Sequence, residues 1–238
     1  MIIDGDKQFA LILMYIKGLL EKLGISDEQL SHVFVQTAYV NSRATRFLKE
    51  KGINNELCPT GVKNAHPIVV KYDIGANDEP NGHGTIVCKW KNVLKALESK
   101  KETLEAKKII GILELSNMTV GDAIANLLLI ESILHDLDMS IQDFNDIYID
   151  NPSRMFKAVV KDRTKFKVIW DESRLTEPVE LQATIDRLVA STSEGKAFVR
   201  PSGTEDILRL YAEASTVPEM EALAKAILAE IESKYKEF

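Results

Sequence analysis

Cysteine is scarce in this chain: among 238 residues there are only Cys58 and Cys88, with no CxxC spacing between them. A disulfide framework is thereby excluded, and with no signal-peptide pattern at the N-terminus the sequence predicts a reduced, cytoplasmic setting. Histidine is nearly as rare, and Cys58, His66, His83 and Cys88 match no compact zinc-finger spacing, so no metal site is assigned. Long apolar runs are missing too: none approaches the roughly 20 residues that a membrane helix requires, which excludes a membrane partner. Positive charge is outnumbered, 30 Lys and Arg against 36 Asp and Glu, and a net charge of −6 leaves no basic stripe for nucleic acid. With only seven prolines and twelve glycines, the chain is not of low complexity. What remains is a composition of 45% hydrophobic and 28% charged residues, over a length that suits two ordinary globular domains.

Apolar spacing at Phe9, Ile12, Leu13, Ile16, Leu19, Leu20 and Leu23, stopped by Gly24, predicts a helix. Residues 32–39 read as a buried strand and 41–51 as a helix. Strand, helix and strand patterns follow over 54–58, 63–71 and 72–76, with a further strand at 84–90, and this alternation predicts an α/β domain with a mixed sheet. The lysine-rich stretch 91–108 reads as a solvated helix. A second long helix is expected over 119–137, with Met118 in the core and Ile124, Leu127, Leu128 and Ile133 turned inward. Polar turn residues Asp150, Asn151 and Pro152 mark a boundary, so the predicted domains are 1–149 and 150–238. In the second, strands at 156–160, 166–170, 196–200 and 207–214 alternate with helices at 178–189 and 217–235, the last opened by a capping box of Thr216 and Glu219. That pattern predicts a smaller α+β domain with an antiparallel sheet and helices on one face.

The chemistry is densest at Arg200, Pro201, Ser202, Gly203, Thr204, Glu205 and on to Arg209. Two guanidinium groups, two hydroxyls and a glycine in ten residues can form a nest of donors around a phosphate dianion. Guanidinium forks grip phosphate oxygens in pairs, by charge-assisted bonds. An ordinary β-turn with exposed arginines is the competing reading of the residues alone. Two more polar segments stand out. Thr60, Gly61, Val62 and Lys63, with His66, lie at a strand-to-helix junction where free N–H groups favour an anion. Residues 78–85 form a loop rich in hydrogen-bonding groups just before a strand.

These segments resemble the α-D-phosphohexomutase superfamily, and most closely its phosphoacetylglucosamine mutase branch. The motifs that carry the resemblance are IDGDK at residues 3–7, FVQTAY at 34–39, TGVK at 60–63, YDIG at 72–75, EPNGHGT at 79–85, TVGDAI at 119–124, FVRPSGTED at 198–206 and RLYAEA at 209–214. They follow the family's order and span nearly the whole chain. Asn81, where hexose mutases usually have serine, and the additional Gly84 are the pattern of the N-acetylhexosamine branch, whereas Pro80 departs from the alanine common there.

The resemblance implies an isomerase that moves a phosphoryl group between the 6- and 1-positions of N-acetylglucosamine, on the route to UDP-N-acetylglucosamine. It implies four domains, of which this chain resembles only the third, which reads the sugar, and the fourth, which holds phosphate. No segment resembles the family's Thr-Ala-Ser-His-Asn nucleophile motif. Asp4, Gly5, Asp6 and Lys7 imitate the magnesium loop but lack its third aspartate, so Mg²⁺ is expected in the full-length enzyme with no ligand in this chain. The expected sugar contacts are Glu79, Pro80 and Asn81, with His83 as a residue that orients the loop. The expected phosphate contacts are Arg200, Pro201, Ser202, Gly203, Thr204 and Arg209. Lys63 and His66 are the candidates for proton transfer, against a purely structural role. The implied partners are a sugar phosphate, the missing N-terminal domains and, through the surface those would cover, a second copy of the chain. A phosphoglucomutase or phosphomannomutase fragment, and a non-catalytic sugar-phosphate-binding module, are the alternatives.

Overall fold

A computed structural model describes residues 3–238 and divides the chain into two compact units, Met1–Ile149 and Asp150–Phe238. The first unit begins with helix α1, Gly5–Lys22, whose N-cap is Asp4; its carboxylate accepts from Lys7 N at 3.0 Å. Asp4 and Asp6 both sit where the helix dipole favours negative charge. Phe9, Ile12, Leu13, Ile16, Leu19, Leu20 and Leu23 are all buried, as their spacing predicts.

Four strands form the sheet of this unit: β1, His32–Thr37; β2, Asn55–Cys58; β3, Ile74–Asp78; and β4, Gly84–Cys88. Their order is β2-β1-β3-β4, with β1 parallel to both β2 and β3 and β4 antiparallel to β3. Every residue of β1 is buried, because helices cover both faces of this central strand. On one face lie α1, α2 (Ser42–Glu50), α5 (Leu104–Leu115) and α6 (Ala123–Leu137), around a core containing Phe9, Phe34, Ile74 and Ile86. On the other, α3 (Val62–Val69) packs Ala65, Ile68 and Val69 against Val33, Val35 and Cys58. The chain leaves β1 for β2 on one side and crosses to β3 on the other, so the winding reverses between β1 and β3. In open α/β sheets ligands settle outside the carboxyl ends of the strands at such a reversal.

In the second unit, β5 (Ser153–Val159), β9 (Ile207–Glu213) and β8 (Lys196–Pro201) form an antiparallel sheet in that order. Helices α8, Val179–Ala190, and α9, Val217–Lys234, cover one face, closing a core that includes Leu181, Ile185, Val199, Leu208, Leu210 and Ile227. A separate two-stranded ribbon joins β6, Lys167–Val168, to β7, Leu175–Glu177. Thr216 caps α9 by accepting from Glu219 N at 3.4 Å, and Glu219 answers by accepting from the Thr216 and Ser215 hydroxyls at 2.8 and 2.5 Å.

Three sequence expectations are corrected. The lysine-rich stretch is not one helix: α4, Trp90–Leu97, gives way to a 3-10 turn, Glu98–Lys100, and α5 starts afresh at the Thr103 cap. The strand expected over 166–170 shrinks to Lys167–Val168, since Phe166 turns into the core while Trp170 is 64% exposed. Finally, α6 starts only after the Asp122 cap. It turns Ile133 inward, but leaves Ile124, Leu127 and Leu128 exposed at 73%, 59% and 52%, with Met118 also at the surface. Leu129, Ile130 and Leu134 supply its buried face instead.

Candidate functional site

The phosphate-clamp candidates occupy the β8–β9 turn. Arg200 and Arg209 are cross-strand partners, as are Pro201 and Leu208, and Ser202 N closes the turn by donating to Ile207 O at 2.9 Å. Cross-strand partners project on the same face of a sheet, so the two guanidinium groups share the side that α8 and α9 leave uncovered. Like charges placed opposite one another destabilise a sheet, and an anion between them removes that cost. Arg200 is buried and its Nε lies 3.5 Å from the Glu172 carboxylate, which aims the fork. Arg209 keeps a buried Nε–H without a hydrogen-bond partner. Ser202 is buried, whereas Gly203 and Thr204 are exposed. At Gly203 an added Cβ would meet nothing within 4 Å. Packing therefore does not demand glycine there.

The sugar-loop candidates form the hairpin between β3 and β4, whose strands end on the pair Asp78 and Gly84. Gly82 N donates to Glu79 O at 2.8 Å and Glu79 N to His83 O at 3.1 Å, which closes the turn. Within it Asn81 Nδ2 donates to Glu79 Oε2 at 3.1 Å, and Asn81 Oδ1 accepts from His83 N at 2.8 Å. The Asn81 amide thus braces the Glu79 carboxylate and retains one N–H for a hydroxyl. Glu79 is half-buried, whereas Pro80, Asn81 and His83 are exposed.

The start of α1 holds this hairpin from beneath. Gly5 N donates to Pro80 O at 3.2 Å, and a Cβ on Gly5 would stand 2.3 Å from Glu79 O and 2.4 Å from Asp78 Oδ2. Only glycine allows that approach. His83 is held by a similar fit, since a Cβ on Gly121 would stand 2.6 Å from its Nδ1. The pair in IDGDK that imitates a metal loop is committed to the fold: Asp4 caps the helix, and buried Asp6 accepts from Gln36 Nε2. Among the described residues, no group of three or more His, Cys, Asp or Glu could hold a metal ion.

Sequence reasoning missed Asp78. Both of its carboxylate oxygens are buried without a hydrogen-bond partner. Burial, with further contributions from Asp6, Asp4 and Glu79, pushes its carboxyl well above the usual carboxylate range. Burial therefore favours its neutral form beneath the hairpin. The only sequence signal for it was two consecutive acids at the end of an apolar strand. Glu172 gave none, because it reaches Arg200 from a distant loop.

Lys63 and His66 both fall on α3 and are exposed. Gly61, at φ 112°, starts that helix without a side-chain cap, and Asn64 Nδ2 donates back to Thr60 O at 2.9 Å. Because β1, β2 and β3 are parallel, this helix start and the hairpin lie on the same carboxyl edge of the sheet.

Comparison with known proteins agrees over both units. Residues 4–139 match the family described as "Phosphoacetylglucosamine mutase AMG1, domain III", and residues 155–230 match "Phosphoglucomutase/phosphomannomutase, C-terminal domain". The phosphoacetylglucosamine mutase of Arabidopsis thaliana is 37% identical, over 98% of this chain and 44% of its own length. The human phosphoacetylglucosamine mutase is 39% identical, over 95% of this chain and 42% of its own. Among solved structures, the N-acetylphosphoglucosamine mutase of Aspergillus fumigatus, in complex with GlcNAc-6P and magnesium, superposes with a TM-score of 0.88 at 34% identity, covering 96% of this chain and 46% of that one. The chain therefore spans under half the length of these relatives, and it belongs to the phosphoacetylglucosamine mutase family.

Proposed function

We propose that this chain forms the sugar- and phosphate-holding half of an isomerase, an intramolecular phosphotransferase that interconverts N-acetylglucosamine 6-phosphate and N-acetylglucosamine 1-phosphate on the route to UDP-N-acetylglucosamine. The observation that carries this reading is the paired Arg200 and Arg209 beside a turn with buried Ser202 and exposed Gly203 and Thr204. A tetrahedral dianion fits between two forks in either orientation of the sugar, so the clamp holds whichever phosphate is not reacting. The 79–83 hairpin reads the sugar: the Glu79 carboxylate accepts from neighbouring hydroxyls, the free Asn81 N–H donates, and Pro80 stiffens the turn. Lys63 and His66, on the same sheet edge, neutralise phosphate charge or move a proton.

In this reading residues 1–149 are the sugar-recognition domain and 150–238 the phosphate-binding domain. The serine nucleophile and the magnesium ligands belong to the length that the relatives have beyond this chain, which is also its partner in the working enzyme. Asp4 and Asp6 are already committed to the fold and do not fit a metal site. The chain by itself accordingly binds substrate without turning it over. A cytoplasmic location is supported by the scarcity of cysteine, two residues in 238 with no CxxC spacing. No helix among the described residues is long and apolar enough to cross a membrane.

Phosphorus NMR titration of the chain with N-acetylglucosamine 6-phosphate tests the reading. A shifted or broadened phosphate resonance is expected, and an unperturbed one at millimolar chain would overturn it. Affinity for the acetylated sugar phosphate above that for glucose 6-phosphate distinguishes this function from a phosphoglucomutase.

A further inference from the structure

Arg163 lies on the 3-10 turn Arg163–Lys165, 40 residues ahead of Gly203, and belongs to none of the motifs. Its guanidinium nevertheless reaches the phosphate loop. Nη2 donates to Gly203 O at 3.1 Å, and Nη1 lies 3.7 Å from the Asp206 carboxylate. The Arg163 backbone N–H donates to that carboxylate at 3.4 Å, and Asp206 O accepts from Val160 N at 3.1 Å. The turn is itself pre-set by Asp162, which accepts from Thr164 N and Oγ1 at 2.9 and 2.6 Å. Within residues 202–206, by contrast, little holds the backbone. Ser202 N closes the turn on Ile207 O, Ile207 N donates to Glu205 O at 2.8 Å, and Thr204 N lies 3.5 Å from Ser202 Oγ.

The peptide joining Gly203 to Thr204 is planar and trans, so its C=O and N–H point in opposite directions. Drawing Gly203 O onto the guanidinium turns the Thr204 N–H away from Arg163, toward the side where the Ser202 hydroxyl lies. The bond is charge-assisted and also polarises that amide, strengthening the N–H as a donor. We propose that Arg163 is a positioning residue of the phosphate loop, holding the Gly203–Thr204 peptide so that the Thr204 N–H is presented to a bound phosphoryl group. This rests on the reading of the loop as a phosphate clamp. Arg163 acts through the loop backbone and through Asp206, without touching the phosphate.

Titration of the ¹⁵N-labelled full chain with inorganic phosphate, followed at the Thr204 amide, separates the possibilities. Removing one charge-assisted bond predicts that Arg163→Ala binds phosphate about tenfold more weakly. The phosphate-induced shift of the Thr204 amide should also collapse. Arg163→Lys keeps the charge but cannot span Gly203 O and Asp206 together, so the Thr204 response returns only in part. Asp206→Asn removes the fork's second anchor while leaving the arginine in place, and should blunt the same resonance with a smaller loss of affinity. A ¹⁵N spectrum of each variant confirms that unit 2 is folded. Unchanged affinity in Arg163→Ala overturns the proposal. So does weakened binding with the Thr204 response intact, which is the signature of a direct charge contact. If the unsubstituted chain fails to bind phosphate, the clamp reading falls and this proposal with it; phosphate binding that ignores Arg163 sinks the proposal alone.

Discussion

Arg200 and Arg209 stand opposite each other across β8 and β9, one aimed by Glu172 and the other with a buried Nε–H still unspent. Two neighbouring guanidinium groups on one face repel each other, so both should matter to the binding of a phosphate between them. Replacing either with alanine should cost about 1.5–3 kcal/mol of N-acetylglucosamine 6-phosphate binding, the range for a hydrogen bond to a charged group. Arg209→Lys should recover only part of it, because lysine lacks the fork. Calorimetric titration of the three variants measures this directly, and undiminished affinity in both alanine variants would sink the clamp.

The contact of Gly5 with the hairpin gives a second prediction. A methyl group at Gly5 collides with the Glu79 carbonyl and the Asp78 carboxylate, so Gly5→Ala must displace the hairpin or the start of α1. Overpacking of this kind costs about 1–3 kcal/mol. Thermal unfolding should show that loss, and amide shifts at Asn81 and His83 should locate it. Unchanged spectra at those two residues would contradict the contact.

Asp78 predicts a dependence on pH. Its carboxyl is raised in the folded chain, so the folded state holds a proton that the unfolded state gives up at ordinary carboxylate pH. Stability from this group is thus fully present below the unfolded pKa, near 3.9, and is lost as pH rises toward the raised folded value. Asp78→Asn removes that liability. The variant should gain on the parent chain as pH climbs from 4 to 8, measured by urea unfolding at several pH values. A difference that shrinks with rising pH would refute the assignment.

The outward face of α6 supplies the fourth test. Ile124, Leu127 and Leu128 lie exposed one turn apart, and an apolar patch of that kind promotes association. The isolated chain should self-associate through it. Leu127→Glu should shift sedimentation toward monomer without lowering the melting temperature; a chain that is already monomeric at high concentration would refute the prediction.

That same helix shows where the sequence stopped being legible. Ile124, Leu127, Leu128, Leu129, Ile130, Ile133 and Leu134 make α6 apolar almost all round, so periodicity cannot say which face the core takes. The helix itself was readable, but not its orientation. In α1 every predicted inward residue is buried, but so are Ala10, Leu11 and Tyr15, because that helix is covered on most of its sides. The candidate phosphate turn could be picked out because its donors are contiguous in sequence, whereas its support could not. Glu172 and Arg163 reach the turn from separate loops, and nothing in either local pattern marks them. Asp78 was hidden for another reason. Its acid looks like one more polar loop residue until the hairpin register places it inside the strand.

The hydrophobic cores of the two units share no residue, one built around Phe9 and Phe34 and the other around Leu208 and Leu210. Each unit thus has the means to unfold as its own cooperative step, and a ligand stabilises only the step that destroys its site. Calorimetry then becomes a map: inorganic phosphate should raise the transition of unit 2 and leave that of unit 1 where it was.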